Sequence, residues 1–212
     1  MKAYKTNLIL IFLLLGISPW AFSASAEMSS KHLRLVKDLM NNNLAYSQDA
    51  TTTNIIEWEE EIVDSLRQKK DYRNMFLMKQ MAVYAYSLQA KISEALKKAD
   101  AMMDEARLMK YNIGISLSYQ ALGDIYLNAG MRPEAVEEYE KAMKTLQATP
   151  HAEKIQERIF IQLVPTLIKL KRMDEAKAYL EHMSEICESK CLSPFLLYAY
   201  HAYYYLRNND LS

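Results

Sequence analysis

The chain has 212 residues, half of them apolar, with 26 basic and 26 acidic side chains. That is long and apolar enough for one ordinary domain or a short repeat array, and it excludes a disordered chain. Removing residues 1–26 takes away Lys2 and Lys5 and leaves 24 cations (26 − 2) against 26 anions, so there is no basic footprint for nucleic acid or an anionic membrane.

Residues 1–26 read as an export signal and not as part of the fold. Lys2 and Lys5 form a positive start, Leu8–Ile17 is an apolar run, and Ala24-Ser25-Ala26 supplies a small-x-small cleavage pattern, with cleavage after Ala26. The run is short of the roughly 20 residues that span a bilayer, and no second run of suitable length follows. The expected destination is a bacterial periplasm. Four glycines, five prolines and few β-branched runs make the remainder all-α. Residues 27–72 read as two capping helices, Ser30–Leu44 and about Asn54–Lys69, separated by the polar stretch "SQDATTTN".

From residue 73 a repeat sets in. Ser93-Glu94-Ala95, Pro133-Glu134-Ala135 and Asp174-Glu175-Ala176 place one Glu-Ala pair at intervals of 40 (135 − 95) and 41 (176 − 135). Apolar residues follow each Ala at i+4 and i+7: Ala99 and Met102, Tyr139 and Ala142, Leu180 and Met183, one face of a helix in each case. Upstream of the middle pair, Tyr119, Leu122, Gly123 and Tyr126 keep an i, i+3, i+4, i+7 spacing. Gly130 then breaks that helix and Pro133 opens the next. The unit is helix, tight turn, helix, with Gly123 and Ala135 where two helices approach closely. Repeats are expected over about 75–110, 114–148 and 155–188, with an incomplete one over 194–212. In the last, Tyr198, His201-Ala202 and Tyr205 reproduce the spacing of Tyr119, Leu122-Gly123 and Tyr126. The next Glu-Ala falls due near position 214 (135 + 79), so the chain is expected to continue into further repeats or a membrane-anchored output domain.

Tyr119, Leu122-Gly123, Tyr126, Ala135, Tyr139 and Ala142 resemble the signature of the tetratricopeptide repeat, in which a large-Leu-Gly-Tyr helix precedes an Ala-aromatic-Ala helix. The outer units keep the apolar pattern with weaker identities. The resemblance implies a right-handed helical-repeat solenoid of antiparallel pairs. The period departs from it, since about 34 residues is usual for that family, and HEAT-like pairs, whose length fits, are the structural alternative.

No catalytic constellation is legible. His32, His151, His182 and His201 are scattered, "EWEEE" (57–61) reads as a solvated face beside Trp58, and no Gly-rich phosphate loop exists. No cofactor and no metal is expected. Cys187 and Cys191 stand as a disulfide, two inert thiols or, least, a metal pair. The function implied by the resemblance is recognition of a protein or peptide on the face formed by first helices. On that register Gln80, Tyr84, Gln120, Asp124, Leu127, Asn128, Ile161, Lys169, Tyr203 and Arg207 face the groove, and Asp124 with Asn128 is its best polar pair. A carboxylate clamp is not expected, because Arg158 alone has suitable chemistry. Pro165 must free the carbonyl of Ile161 and bend its helix. An exported protein-binding scaffold results, either the sensing region of a membrane-bound regulator or a freestanding assembly or chaperone-like factor.

Overall fold

The computed structural model describes residues 48–190 and 194–209. Eight helices occur among them and no strand: α1 (Gln48–Gln68), α2 (Tyr72–Leu88), α3 (Ile92–Leu108), α4 (Asn112–Asn128), α5 (Arg132–Leu146), α6 (Glu153–Lys169), α7 (Met173–Lys190) and α8 (Pro194–Asn209). The chain divides after Glu105 into two compact units. None of these helices is long and apolar enough to cross a membrane. The expected all-α, tetratricopeptide-like repeat is observed. The signal-like segment, the helix expected over Ser30–Leu44, Cys191 and the side chain of Cys187 lie outside what the structure describes.

Five of the connections share one geometry. Lys70, Ala90, Lys110, Gly130 and Lys171 each sit at the centre of a three-residue turn with φ of 57°, 58°, 51°, 80° and 60°. In each the left-handed residue donates its N–H three residues back, and the next residue donates five back, as in Gly130 N to Leu127 O at 3.0 Å and Met131 N to Tyr126 O at 2.9 Å. These are the two bonds of a Schellman motif, which satisfies carbonyls that a helix end leaves open. Only one turn uses glycine, the residue that enters this region without a Cβ penalty. The α5–α6 connection differs: Thr149 N returns to Leu146 O at 3.0 Å, and the left-handed residue is His151, beyond Pro150.

In the first unit α1 packs on α2, with Trp58, Leu66, Met75, Phe76 and Leu77 buried. One correction falls here. The stretch "SQDATTTN" was expected to separate helices, yet α1 begins at Gln48. It contains neither proline nor glycine to break a helix. Asp71 caps α2, its carboxylate accepting from Asn74 N at 3.3 Å and Asn74 Nδ2 at 2.7 Å. The middle and the last turn of α3 are tied to α1 and α2 by charge. Glu105 takes hydrogen bonds from Arg67 at 2.9 Å and from Lys79, while Lys98 pairs with Glu59. Burial pushes the Glu105 carboxyl up, but the bonds from Lys79 and Arg67 together outweigh it and hold the group below its ordinary range.

In the second unit α4 packs on α5, and α6 on α7. The α4–α5 seam follows the expected register. Ala135, Tyr139 and Ala142 are fully buried, and an ideal Cβ on Gly123 would lie 2.5 Å from Tyr139 Cε1 and 2.7 Å from Cδ1. Only glycine lets the ring lie that close. Tyr119, Leu122 and Tyr126 flank the seam half-buried, and Ser116 adds a hydrogen bond to the Ala142 carbonyl at 3.0 Å. Pro133 stands in the first turn of α5, where its missing N–H costs nothing. The outer repeat alanines, Ala95 and Ala176, are likewise fully buried, as are Leu163 and Leu167 of α6.

Pro165 lies inside α6, which runs on to Lys169. Its ring removes the N–H that would bond Ile161 O. That carbonyl is not abandoned: the Tyr200 hydroxyl of α8 donates to it at 3.1 Å. The Tyr200 ring also meets Phe160 edge-on, centroids 5.6 Å apart, so α8 docks on α6 through one aromatic residue and one backbone vacancy. Burial pushes the Tyr200 phenol above its ordinary range, which keeps the donor protonated.

Candidate functional site

The first helices of the second unit's pairs, α4, α6 and α8, form a chain of neighbours: α4 touches α6 and α6 touches α8. The residues expected to face a groove divide into two sets. Asn128, Lys169 and Arg207 are exposed, and Leu127, Ile161 and Tyr203 are half-buried. Gln120 and Asp124 are each only 4 % exposed. In the first unit Tyr84 is exposed while Gln80 is buried.

Asp124 is therefore not the exposed half of a polar pair with Asn128. Its carboxylate accepts the Tyr139 hydroxyl at 2.8 Å inside the α4–α5 seam. The aromatic that fills the notch at Gly123 thus carries its own buried acceptor, and a helical-period reading misses this because Asp124 sits one position beyond Gly123, beside the same ring. Arg158 of α6 feels the same carboxylate. Burial pushes its guanidinium below the ordinary range and the Asp124 charge opposes that shift. Gln120 Oε1, one turn before Asp124, is buried and accepts no hydrogen bond. A buried basic group of α6 and a buried acid of α4 thus interact, with Tyr139 fixing the acid.

A second feature was not legible beforehand. An open cavity of about 310 Å³ is lined by Glu140, Met143, Lys144 and Gln147 of α5, Gln156 of α6, and Tyr179 and His182 of α7. Arg172 braces its edge, reaching Glu140 at 3.1 Å and Glu175 at 2.5 and 2.6 Å. Burial pushes the Glu140 carboxyl up, with Arg172 opposing and the charges of Glu175 and Glu137 reinforcing the rise. Burial first, then Glu140 and Glu175, push the Tyr179 phenol up to about 12, so it is a hydrogen-bond donor at neutral pH and not a base. The available signal was the i, i+3, i+4, i+7 spacing of 140, 143, 144 and 147, a polar-edged stripe around Met143.

The fold also brings Ser184 Oγ within 3.2 Å of His201 Nε2. The hydroxyl donates to the Leu180 carbonyl at 2.8 Å, and a hydroxyl has one proton to give. That bond competes with the imidazole for the single hydroxyl proton. Among the described residues no group of three or more His, Cys, Asp or Glu is arranged to hold a metal ion.

A helix pair joined by a Schellman turn, with a glycine notch on the first helix filled by an aromatic from the second, defines a helical-repeat unit. The family model of the tetratricopeptide repeat matches residues 117–145, most of α4 and nearly all of α5. With the all-helical repeat, this match supports a tetratricopeptide-repeat protein of the kind that acts as a protein-interaction scaffold. No curated protein and no solved structure matches the chain.

Proposed function

We propose that the chain is an exported, non-catalytic scaffold that binds a protein or peptide, and that it serves as the sensing region of a periplasmic signalling regulator. The observation that carries the binding part is the repeat match over residues 117–145, together with accessible side chains on the first helices, Asn128, Lys169 and Arg207. Stacked helix pairs use first-helix side chains to hold extended peptides or partner helices. Export is supported by the charge, apolar run and small-x-small pattern of residues 1–26.

Two measurements test the reading. Intact mass and N-terminal sequencing of the protein recovered from a bacterial periplasm should find a mature chain starting at Glu27; retention of Met1 in the cytosol overturns export. Photo-crosslinking side chains placed at Asn128 or Lys169 should capture one defined protein band in the native host, while the same group at Lys177 on α7 should not. Equal labelling at all three positions, or at none, overturns recognition through the first-helix face.

A further inference from the structure

The cavity lined by α5, α6 and α7 holds opposite charges that do not meet each other. Glu140 and Lys144 line it from one helix, a single turn apart. Arg172 takes Glu140 Oε1 at 3.1 Å, which leaves the second carboxylate oxygen open, and no ion pair among the described residues holds the exposed Lys144 ammonium. Burial pushes the Glu140 carboxyl up even with Arg172 beside it, so a second cation at the open oxygen would favour its ionised form.

Neutral polar groups stand with these charges. Gln156 lines the cavity although it is only 8 % exposed, and its carboxamide makes no hydrogen bond among the described residues. A buried amide without a partner is costly, and the cavity is where a partner can reach it. The Tyr179 hydroxyl, protonated at neutral pH, adds a donor, and buried Met143 adds an apolar patch. The volume of about 310 Å³ lies at the small end of the roughly 300–1,000 Å³ of ligand sites. At about 30 Å³ per water it has room for on the order of ten non-hydrogen atoms.

We infer that this cavity is a binding site for a free α-amino acid in its zwitterionic form, its ammonium on Glu140 and its carboxylate on Lys144. A simple anion would be repelled by Glu140 and a simple cation by Lys144, whereas a zwitterion meets both. Its nitrogen and carboxyl carbon are about 2.5 Å apart, and one charge-assisted hydrogen bond of about 2.8 Å at each end reaches groups that stand one helical turn apart on flexible stems. Gln156 serves either end, its oxygen accepting from the ammonium or its nitrogen donating to the carboxylate. So small a ligand in an open site binds with a Kd of about 10 μM to 1 mM. The site is built mainly on second helices and does not rest on recognition by the first-helix face.

Isothermal titration of the purified full chain with each of the twenty common L-amino acids tests this. At least one should bind saturably and one-to-one. Its N-acetyl derivative and its methyl ester, each lacking one of the two charges, should bind about tenfold more weakly or worse. Lys144→Met, at an exposed position, and Glu140→Gln should each cause a similar loss with unchanged far-UV circular dichroism, and Lys144→Arg should restore most of the affinity. No saturable binding by any of the twenty at about 10 mM overturns the inference. Undiminished binding to Lys144→Met overturns it too, since the ligand then sits elsewhere. So does an N-acetyl methylamide that binds as well as the free amino acid, which would make the occupant a peptide segment.

Discussion

The bond from Tyr200 to the carbonyl that Pro165 leaves open can be measured as a coupling. Tyr200→Phe keeps the ring, and with it the edge contact to Phe160 at 5.6 Å, but removes the donor that sits 3.1 Å from Ile161 O. A part-buried carbonyl stripped of its partner costs about 1–2 kcal/mol, the lost net bond plus some of its desolvation. For a chain of this size that is a fall in Tm of roughly 2–8 °C. Pro165→Ala restores the N–H that α6 lacks and relieves a helix-interior proline, which costs about 3 kcal/mol where the freed carbonyl finds nothing else. Here Tyr200 already serves that carbonyl, so Pro165→Ala should stabilise by less. In the Pro165→Ala background the Tyr200→Phe change should cost below about 0.5 kcal/mol, leaving a coupling on the order of 1 kcal/mol in a double-mutant cycle followed by urea denaturation. Equal costs of Tyr200→Phe in the two backgrounds would refute the idea that the hydroxyl answers the proline.

Three further outcomes follow from the fold. Gly123→Ala should destabilise by about 1–3 kcal/mol through overpacking against the Tyr139 ring, although helix propensity alone favours alanine by about 1 kcal/mol; a raised Tm in a calorimetric melt would show that the ring moves freely. Ala90→Gly should stabilise by about 0.5–1 kcal/mol, because Ala90 occupies a left-handed φ of 58° that alanine adopts at a cost, and denaturant midpoints will decide it. Glu105→Gln should destabilise at pH 7 by under about 1 kcal/mol, given its partial exposure. Since the folded-state carboxyl is held below the ordinary 4.5, the Glu105 contribution is present above that pH and lost as pH falls through the depressed value, so wild-type and variant melting curves should converge towards acid.

The helices and their pairing were legible because the apolar period is strong and its punctuation is chemical. Gly130 and Pro133 mark a turn and a start, and Ala135, Tyr139 and Ala142 fall on the buried seam as their spacing requires. The sequence pattern also located a freed carbonyl at Ile161, but not its partner, because Tyr200 lies 39 residues on and only the packing of α8 on α6 brings it there. The interaction surface was less legible. Periodicity tells which residues share a helix face but not how far that face is covered by a neighbouring helix, so Gln80, Gln120 and Asp124 were assigned outward although each is buried. The turns were mostly invisible for a different reason. Four of the five Schellman turns place Lys or Ala where glycine would advertise a left-handed residue, and those positions read from composition as ordinary solvent-facing side chains. The cavity edged by Glu140, Tyr179 and His182 draws on three helices, and no spacing within one helix announces it.

The evenly placed left-handed residues have a consequence for how this chain can be edited. From Lys70 to Gly130 they recur every 20 positions, and His151 to Lys171 repeats the interval after a single added residue in the α5–α6 connection. Two intervals make a cassette that begins and ends in the same turn geometry. Excising or duplicating 40 residues between such turns joins like turn to like turn, and leaves Gly123 opposite Tyr139 wherever that pair is kept whole. A splice of 20 residues joins first helix to first helix and leaves two tyrosine-bearing faces contending for one seam. The turn spacing thus sets a reading frame for recombination, in which gain or loss of whole pairs preserves the turn geometry and gain or loss of single helices does not.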